Sequence, residues 1–494
     1  MVKRAHQNMW QQLVRLSKDD PEGLQVQLRK ALTGLILDRR ISTSLPLPSS
    51  RDLAKALGVS RSTVTLSYQR LVDEGYLVSR ERQGYFVNPD FASASIEHRS
   101  QAPAFSRSDW DQRLKMSVTT QRNIQKRADW YRYPYPFIFG QMDASLTPVA
   151  EWRECWRRAQ GSTSITRTGY DLMDQDDSSL VEQLRTRVLP KRGIWCQPEN
   201  ILITLGAQNA LALVARLLIR DTDTIGIENP GYPDARNLFA LETSNIELLD
   251  VDEHGLVIDD RLNGCNYLYT TPSYQSPTTA TLPADRRHQL LEKAANENFI
   301  IIEDDYESEA AFGDGPIPAL MSEDTTNSVI YCGSLSKSLA PGLRVGFLVA
   351  DAPLINEARA LRRLIIRHPP SVIESTVAYF LELGHYDSHL NRLSKVYRER
   401  WSVMADAVDR WFPYASRRSS FGGTSFWVSG PTSLDSEELA FAAEQEGVLI
   451  EPGTVHFAGH QPRRNCFRLG FSAIDSEKIE PGVRILSRLI GDRH

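Results

Sequence analysis

Lys337 is the residue in this sequence best placed to do covalent chemistry. It sits in GSLSKSLAPGLR, residues 333–344, flanked by Ser334, Ser336 and Ser338, with Arg344 seven positions on. A lysine attacks a carbonyl only as the free amine, so a Schiff-base lysine must be desolvated or set beside other cations. The nearby hydroxyls and guanidinium can meanwhile hold a phosphate on the same ligand through charge-assisted hydrogen bonds. Asp304 and Tyr306, in IIEDDYESE, close a very apolar run. A carboxylate there is costly unless paired, which favours a partner such as a protonated pyridine nitrogen over simple helix capping. Ala207 and Gln208 follow Gly206 where an apolar run gives way to a helical one, and free amides at such a turn attract phosphate. Tyr232, in ENPGY, can stack on an aromatic ring. Arg468, in FRLGF, can form either a bidentate pair with a ligand carboxylate or a structural salt bridge.

The elements that must position these residues are legible as runs of strand length. They are ILITL (201–205), TIGIE (224–228), NYLYT (266–270), FIIIE (299–303), VIYCG (329–333) and VGFLVA (345–350), separated by helical stretches. Continuous apolar strands alternating with helices predict an α/β body with a mostly parallel sheet covered on both faces. Ligands bind such sheets beyond the strand ends, and the candidate residues fall there.

A second kind of chemistry occupies the other end of the chain. Leu24, Val26, Leu28, Leu32, Leu35 and Ile36 mark an amphipathic helix. Pro46 and Pro48 break it off, and Ser49 stands three residues before Asp52 as a helix cap. Leu53, Ala54 and Leu57 form the buried face of the next helix. Gly58 suits a left-handed turn, and Ser60 caps a third helix with Val64, Tyr68 and Leu71 inward. Arg61, Ser62, Thr63 and Thr65 face outward near its start, where a recognition helix reads base edges. Tyr76-Leu77-Val78 and Tyr85-Phe86-Val87 read as two strands of a wing whose tip holds Arg82 and Gly84.

Composition fits two such parts. The chain has 494 residues, 41% hydrophobic and 24% charged, enough for two to four domains with large cores. No apolar run reaches the ~18 residues of a membrane helix, and the amino terminus lacks the features of an export signal. The five cysteines are scattered, which argues against a disulfide framework or a metal cluster and fits a reducing cytoplasm. Net charge is −5, but residues 1–88 carry +6, leaving −11 on the rest. A basic head on an acidic body suits phosphate contact at one end only. The expected division is a DNA-binding head over 1–88, a flexible linker over 89–130 and a cofactor- and effector-binding body over 131–494. In the linker, Trp110 and Leu114 are candidates for docking on a neighbour.

LPSSRDLA, GVSRSTV and LVDEGYL resemble the GntR family of bacterial regulators. That likeness implies that Arg51 and Arg61 contact DNA, with Ser49, Thr63 and Gly84 positioning the backbone. The run departs from the family pattern in lacking a glycine ahead of LPS and in having Arg82 where the wing has its first glycine. Residues 135–490 resemble fold-type I aminotransferases, and the pairing with the head is similar to the MocR/GabR family of regulators. The resemblance implies pyridoxal 5'-phosphate held as an internal aldimine at Lys337, Asp304 at the pyridine nitrogen and Tyr306 at the phenolic oxygen. It implies Tyr232 stacked on the ring and Ala207, Gln208, Ser334 and Arg344 near the phosphate. Gln275 is implied near the ring oxygen, although TTPSYQSPTTATL has Tyr274 and Thr279 where the family has histidine and glycine. Arg468 is implied for an effector's carboxylate. Asp234 stands where a GABA-responsive member has an arginine, so GABA is not the expected effector.

The expected protein is a cytoplasmic, nucleoid-associated bacterial transcription regulator. An amino compound would displace Lys337 by forming an external aldimine, in a head-to-tail homodimer reading repeated half-sites on double-stranded DNA. Two other readings compete: a working aminotransferase with an accessory DNA-binding domain, and a regulator whose body has lost its cofactor.

Overall fold

The computed structural model describes residues 10–491 except 11–12, 15, 18–19, 21, 39, 44, 90–109, 162–168, 172–173, 308–316, 414–415, 419–420 and 460. The chain divides into two compact units, residues 1–115 and 116–494.

In the smaller unit, helices α1 (Leu24–Leu37), α2 (Ser50–Leu57) and α3 (Arg61–Asp73) precede an antiparallel hairpin of β1 (Leu77–Arg80) and β2 (Gly84–Val87). The Ser49 hydroxyl accepts the Asp52 amide and the Ser60 hydroxyl accepts the Thr63 amide, so each helix has one of its free N–H groups satisfied. Gly58 ends α2 at φ +66°, a left-handed conformation that costs glycine little. Leu28, Leu32, Leu53, Val64, Tyr68 and Leu71 are fully buried, and the Tyr68 hydroxyl donates to the Pro48 carbonyl at 3.0 Å. Leu57, expected in the core, is only half-buried. It lies in the last turn of a short helix, and Ala56 is buried instead. The wing strands begin at Leu77 rather than Tyr76 and extend to Arg80, because the turn between them is confined to Glu81–Gln83.

The larger unit is built on an eight-stranded sheet. Its strands are β3 (Ile201–Thr204), β4 (Ile225–Asn229), β5 (Ile246–Asp252), β6 (Gly255–Leu256), β7 (Tyr267–Thr270), β8 (Ile300–Asp305), β9 (Val329–Ser334) and β10 (Gly346–Val349), in the order β3-β10-β9-β8-β7-β4-β5-β6. β10 runs antiparallel to both neighbours and β6 antiparallel to β5, while every other pair is parallel. The sheet is mostly parallel, as the apolar runs predict. β5 and β6 were not anticipated: IELLDVD is mostly half-buried and carries acids, so it lacks the signature of a core strand. Helices α4 (Ala207–Leu218), α5 (Ala284–Glu297) and α6 (Ala352–Ile366) pack on this sheet and its flanks.

A smaller antiparallel sheet completes the unit. It consists of β11 (Ser416–Arg418), β12 (Ser425–Ser429), β13 (Glu451–Pro452) and β14 (Cys466–Gly470), in the order β11-β12-β14-β13. It shares a core containing Phe137, Phe426 and Leu469 with helices α7 (His385–Trp411) and α8 (Ser476–Gly491).

Two polar stretches find their partners here. Asp176 bonds Arg359 and the fully buried Arg362 of α6, while Asp177 caps the helix Ser178–Gln183. Of the expected linker, residues 90–109 lie outside those described, and Trp110 and Leu114 are exposed. Residues 116–130 belong to the larger unit. Gln121 donates to the Asn237 carbonyl at 3.1 Å, Asn237 donates to the Arg122 carbonyl at 3.0 Å, and Arg127 pairs with Glu444 at 2.6 Å. The polarity of this stretch is met by the body, so its composition imitates a solvated linker.

Leu71→Ala removes a fully buried side chain from the smaller unit and should cost about 2–5 kcal/mol of its stability. Thermal unfolding should show the loss, together with lost DNA binding and an unchanged transition in the larger unit.

Candidate functional site

The end of β8 carries three acids, Glu303, Asp304 and Asp305, and strand alternation turns their side chains to opposite faces. Glu303 accepts the amides of Leu320 and Met321 at 2.7 and 2.9 Å. Asp305 pairs with Arg192 at 2.7 Å and accepts the Tyr331 hydroxyl at 2.7 Å. Asp304 faces the other way, into a cavity of about 390 Å³ beyond the strand ends. Its Oδ2 accepts the Tyr269 hydroxyl at 2.8 Å, and its buried Oδ1 has no hydrogen-bond partner among the described residues. Burial pushes its carboxyl up to about 6, against the pull of that hydroxyl and of Lys337.

Lys337, just past β9, lines the same cavity. Its Nζ lies 4.0 Å from the ring centroids of both Phe139 and Tyr306. Burial lowers its amine to about 7. Lys126 and Arg468 add to the fall, while Glu307 and Asp304 oppose it. The local field thus meets the condition for a lysine that attacks carbonyls near neutral pH.

Opposite these groups, Gly206 turns β3 into α4 at φ +76°, and Ala207 and Gln208 open the helix at the cavity wall. Arg344 lies against this turn, donating to the Leu205 carbonyl at 3.1 Å. A Cβ at Gly206 would come within 2.7 Å of its guanidinium. Ser334 joins them in the lining, its hydroxyl accepting the Ser336 amide at 3.2 Å. A helix start, a hydroxyl and an arginine make an anion cradle. Tyr232 also lines the cavity, and its hydroxyl donates to Asp234 Oδ2 at 3.1 Å and Gln208 Oε1 at 3.4 Å.

Two expected residues are placed differently. Gln275 is buried outside the lining. Its amide nitrogen donates to Glu228, the Pro230 carbonyl and the Ser276 carbonyl, and its oxygen accepts from Thr278, which leaves it nothing for a ligand. Ser276 takes its place in the lining and bonds Tyr306. Arg468 is also fully buried. It pairs with Glu451, its register partner on β13, and its Cζ lies 3.7 Å from the Phe139 ring centroid. Burial would raise the Glu451 carboxyl, but Arg468 and His456 hold it down at about 2. Arg468 is therefore ion-paired within the fold, while its Nε and Nη2 have no hydrogen-bond partner among the described residues.

Sequence reasoning missed Lys126 and Phe139. The stem of Lys126 is exposed, but its ammonium turns inward to the Phe139 carbonyl at 2.6 Å, and the residue lines the cavity. The shift from Ser/Ala to aromatic composition at Trp130–Tyr135 was the one sign that the body begins this early.

In the smaller unit, Arg51 and Arg61 are exposed near the starts of α2 and α3, with Ser62, Thr65 and Leu66 exposed beside Arg61. The hydroxyls of Ser49 and Thr63 are engaged in the helix caps. At the wing tip, Gly84 has φ +101° and Arg82 has φ +59°, so Arg82 adopts the left-handed conformation usual for the glycine it replaces.

The cavity fits pyridoxal phosphate. A buried carboxylate oxygen lacks a donor where a pyridinium N–H would supply one, an anion cradle lies opposite, and a lysine of lowered pKa stands between. Residues 146–486 match aminotransferase class I and II, and residues 24–87 match the bacterial regulatory proteins of the gntR family. The HTH-type transcriptional regulator TauR of Rhodobacter capsulatus is 41% identical over 470 residues, covering 94% of this chain and 96% of that protein. The probable rhizopine catabolism regulatory protein MocR of Rhizobium meliloti is 28% identical, covering 95% and 94%. Among solved structures, the α-aminoadipate aminotransferase LysN of Thermus thermophilus, complexed with N-(5'-phosphopyridoxyl)-L-leucine, matches with a TM-score of 0.67 and 28% identity. The match covers 78% of this chain and 97% of that one. Fold and matches together define a helix-turn-helix protein with a fold-type I aminotransferase body. The chain belongs to the MocR/GabR family of transcription regulators.

Native Asp304 keeps its proton up to about pH 6, whereas an unfolded aspartate releases it near ~3.9. The native state binds more protons between these values, so this residue costs stability as pH rises through that window. Asp304→Asn should therefore stabilise the cofactor-free protein at about pH 8 by roughly 1–3 kcal/mol, read as a higher melting temperature, with little effect near pH 4. The same variant should bind pyridoxal phosphate more weakly.

Proposed function

We propose that this protein is a DNA-binding transcription regulator that holds pyridoxal phosphate and senses a small amino compound at Lys337. The observation that carries this reading is the convergence of Lys337, the half-satisfied Asp304 and the α4 amino terminus on one cavity. Asp304 would hold the pyridine nitrogen protonated, Tyr306 would meet the phenolic oxygen, and Tyr232 would lie against the ring. Ala207, Gln208, Ser334 and Arg344 would receive the phosphate. When bound, pyridoxal phosphate supplies an aldehyde carbon that bonds reversibly to an amine. Lys337 is the residue whose covalent state would change.

The acid group of an effector would find Lys126 more open than Arg468, because Glu451 already occupies the latter. Lys126 belongs to the stretch of chain that leads back to the DNA-binding unit, so a ligand held there would gain different contacts in two arrangements of that stretch. This is the requirement for shifting a conformational equilibrium. We read the active form as a head-to-tail homodimer on repeated half-sites, working in the bacterial cytoplasm at the nucleoid. Membership of the regulator family supports the DNA-binding part. The second reading, a working aminotransferase, is favoured by one observation: an amine near 7 at Lys337 also suits a catalytic base. Sustained amino transfer to a keto acid would select it.

Borohydride reduction of the purified protein should fix the cofactor on the peptide containing Lys337, and Lys337→Ala should abolish the adduct. Absence of the adduct in the unaltered protein overturns the sensing account. Arg61→Ala should weaken operator binding about tenfold and leave the adduct unchanged, as read by footprinting and mass spectrometry. Lys126→Gln should raise the half-effect concentration of 2-aminoethanesulfonate or β-alanine about tenfold in a spectral titration, with ethylamine unaffected.

A further inference from the structure

Glu307 follows Tyr306 at the end of β8 and is buried. Thr424 donates its hydroxyl to Oε1, whereas Oε2 has no hydrogen-bond partner among the described residues. A cavity of about 40 Å³ adjoins this oxygen, and Glu307 and Lys337 are its two charged lining residues. Lys337, Gly140 and Gln141 line both cavities. Asp304 and Tyr232 line only the larger, and Glu307 and Thr424 only the smaller, so Lys337 forms part of the wall between them. The smaller space exceeds the ~10–15 Å³ that one water needs, and so admits an ammonium group.

We propose that Glu307 is the dock for the Lys337 ammonium after the lysine has been displaced from the cofactor, and so is a positioning residue for the switch. The proposal rests on the reading that Lys337 binds pyridoxal phosphate. In the exchange, the bond from Lys337 Nζ to the cofactor carbon breaks and the same bond forms to the incoming nitrogen. An incoming ammonium brings the proton that Lys337 carries away, so no other acid is consumed. A buried carboxylate oxygen that lacks a partner gains one when the ammonium docks, which favours displacement. An ammonium held at Glu307 is also unable to accept a proton from the bound amine's carbon. Docking there favours sensing over amino transfer.

The charges around Lys337 agree with this geometry. Lys126 and Arg468 disfavour its protonated form, Glu307 and Asp304 favour it, and Glu307 has the larger effect of the two acids. Glu307 in turn faces Tyr274, Tyr306 and Tyr397, none of which carries a positive charge.

Cofactor-free, full-length protein leaves the Lys337 amine free to move to Glu307, so the test needs no turnover. Competitive labelling with trace acetic anhydride, read by peptide mass spectrometry across pH, reports the fraction of Lys337 that is unprotonated. Glu307→Gln should speed labelling of Lys337 about tenfold on the acid side of its profile, a shift of about one unit. Glu307→Asp, which keeps the charge, should stay near the unaltered protein. In the loaded protein, the ethylamine concentration that displaces half of Lys337 should rise about tenfold in Glu307→Gln, while DNA affinity without ethylamine stays the same. A labelling profile unchanged in Glu307→Gln, or shifted equally in both variants, overturns the dock. Failure of borohydride to fix the cofactor overturns the parent reading instead, and leaves the labelling result to be judged by itself.

Discussion

A buried strand cannot end in three carboxylates unless each is neutralised or hydrogen-bonded, and the three at the end of β8 are treated unequally. Glu303 and Asp305 point to one face, where backbone amides bond both oxygens of Glu303. Arg192 and Tyr331 both bond Oδ2 of Asp305, whose charge is met by an ion pair although its Oδ1 has no hydrogen-bond partner among the described residues. Asp304 points to the other face and lines the cavity, with the Tyr269 hydroxyl on one oxygen, the other oxygen unpartnered and no ion pair among the described residues. The fold thus leaves an open hydrogen-bonding position of fixed sign on the cavity beyond the strand ends. A cationic ring nitrogen is the partner that makes such a carboxylate affordable in a low-dielectric interior. The placement of Lys337, the α4 turn and Tyr232 around the same space follows from parallel topology, which brings the carboxyl ends of β3, β4, β8 and β9 to one edge.

Charge is balanced pairwise around that space, and the pairs differ in how complete they are. Arg468, Glu451 and His456 form an ion-paired set, with the His456 Nε2 2.9 Å from a Glu451 oxygen that also pairs with Arg468. The Arg468 Nε and Nη2 nevertheless have no hydrogen-bond partner among the described residues. A newcomer to such a set must compete with an existing ion pair. Lys126 has one carbonyl for a partner, and Glu307 has one hydroxyl. The incompletely satisfied groups are the ones that can respond to a ligand, because a new contact costs them no existing ion pair.

The sequence made the large features readable and concealed the closed networks. Six strands were legible because both faces are buried, so each appears as an unbroken apolar run. β5 was not, since its position near the sheet edge lets it keep acids. Asp304, Lys337 and Arg344 were legible as charged residues at the ends of apolar runs. Gln275 misled because its chief partner, Glu228, lies 47 residues away and nothing local signals that pairing. Arg468 was open to two readings, and its partner Glu451 becomes adjacent only through the register of β13 and β14. Lys126 sits in a polar stretch that composition cannot distinguish from a linker. Glu307 is overshadowed by the stronger signals of Asp304 and Tyr306 beside it.

The cavity mouth adds a constraint on what can be sensed. Asp234 accepts the Tyr232 hydroxyl at 3.1 Å, so its first effect is on the ring that faces the cavity rather than on a ligand. Burial, with Asp234 adding to it, keeps that phenol protonated far above neutral pH, and so able to go on donating. Asp234 also favours the charged form of Lys126, which burial weakens, so the two residues give the mouth one negative and one positive element. On the proposed reading, a molecule bearing a single amine and a single acid would set the acid at Lys126 and its nitrogen at Lys337. A second acid would have to lie in the field of Asp234, where like charges at short range cost energy even at an effective dielectric near 20. Selectivity would then come from repelling the wrong ligand as much as from holding the right one.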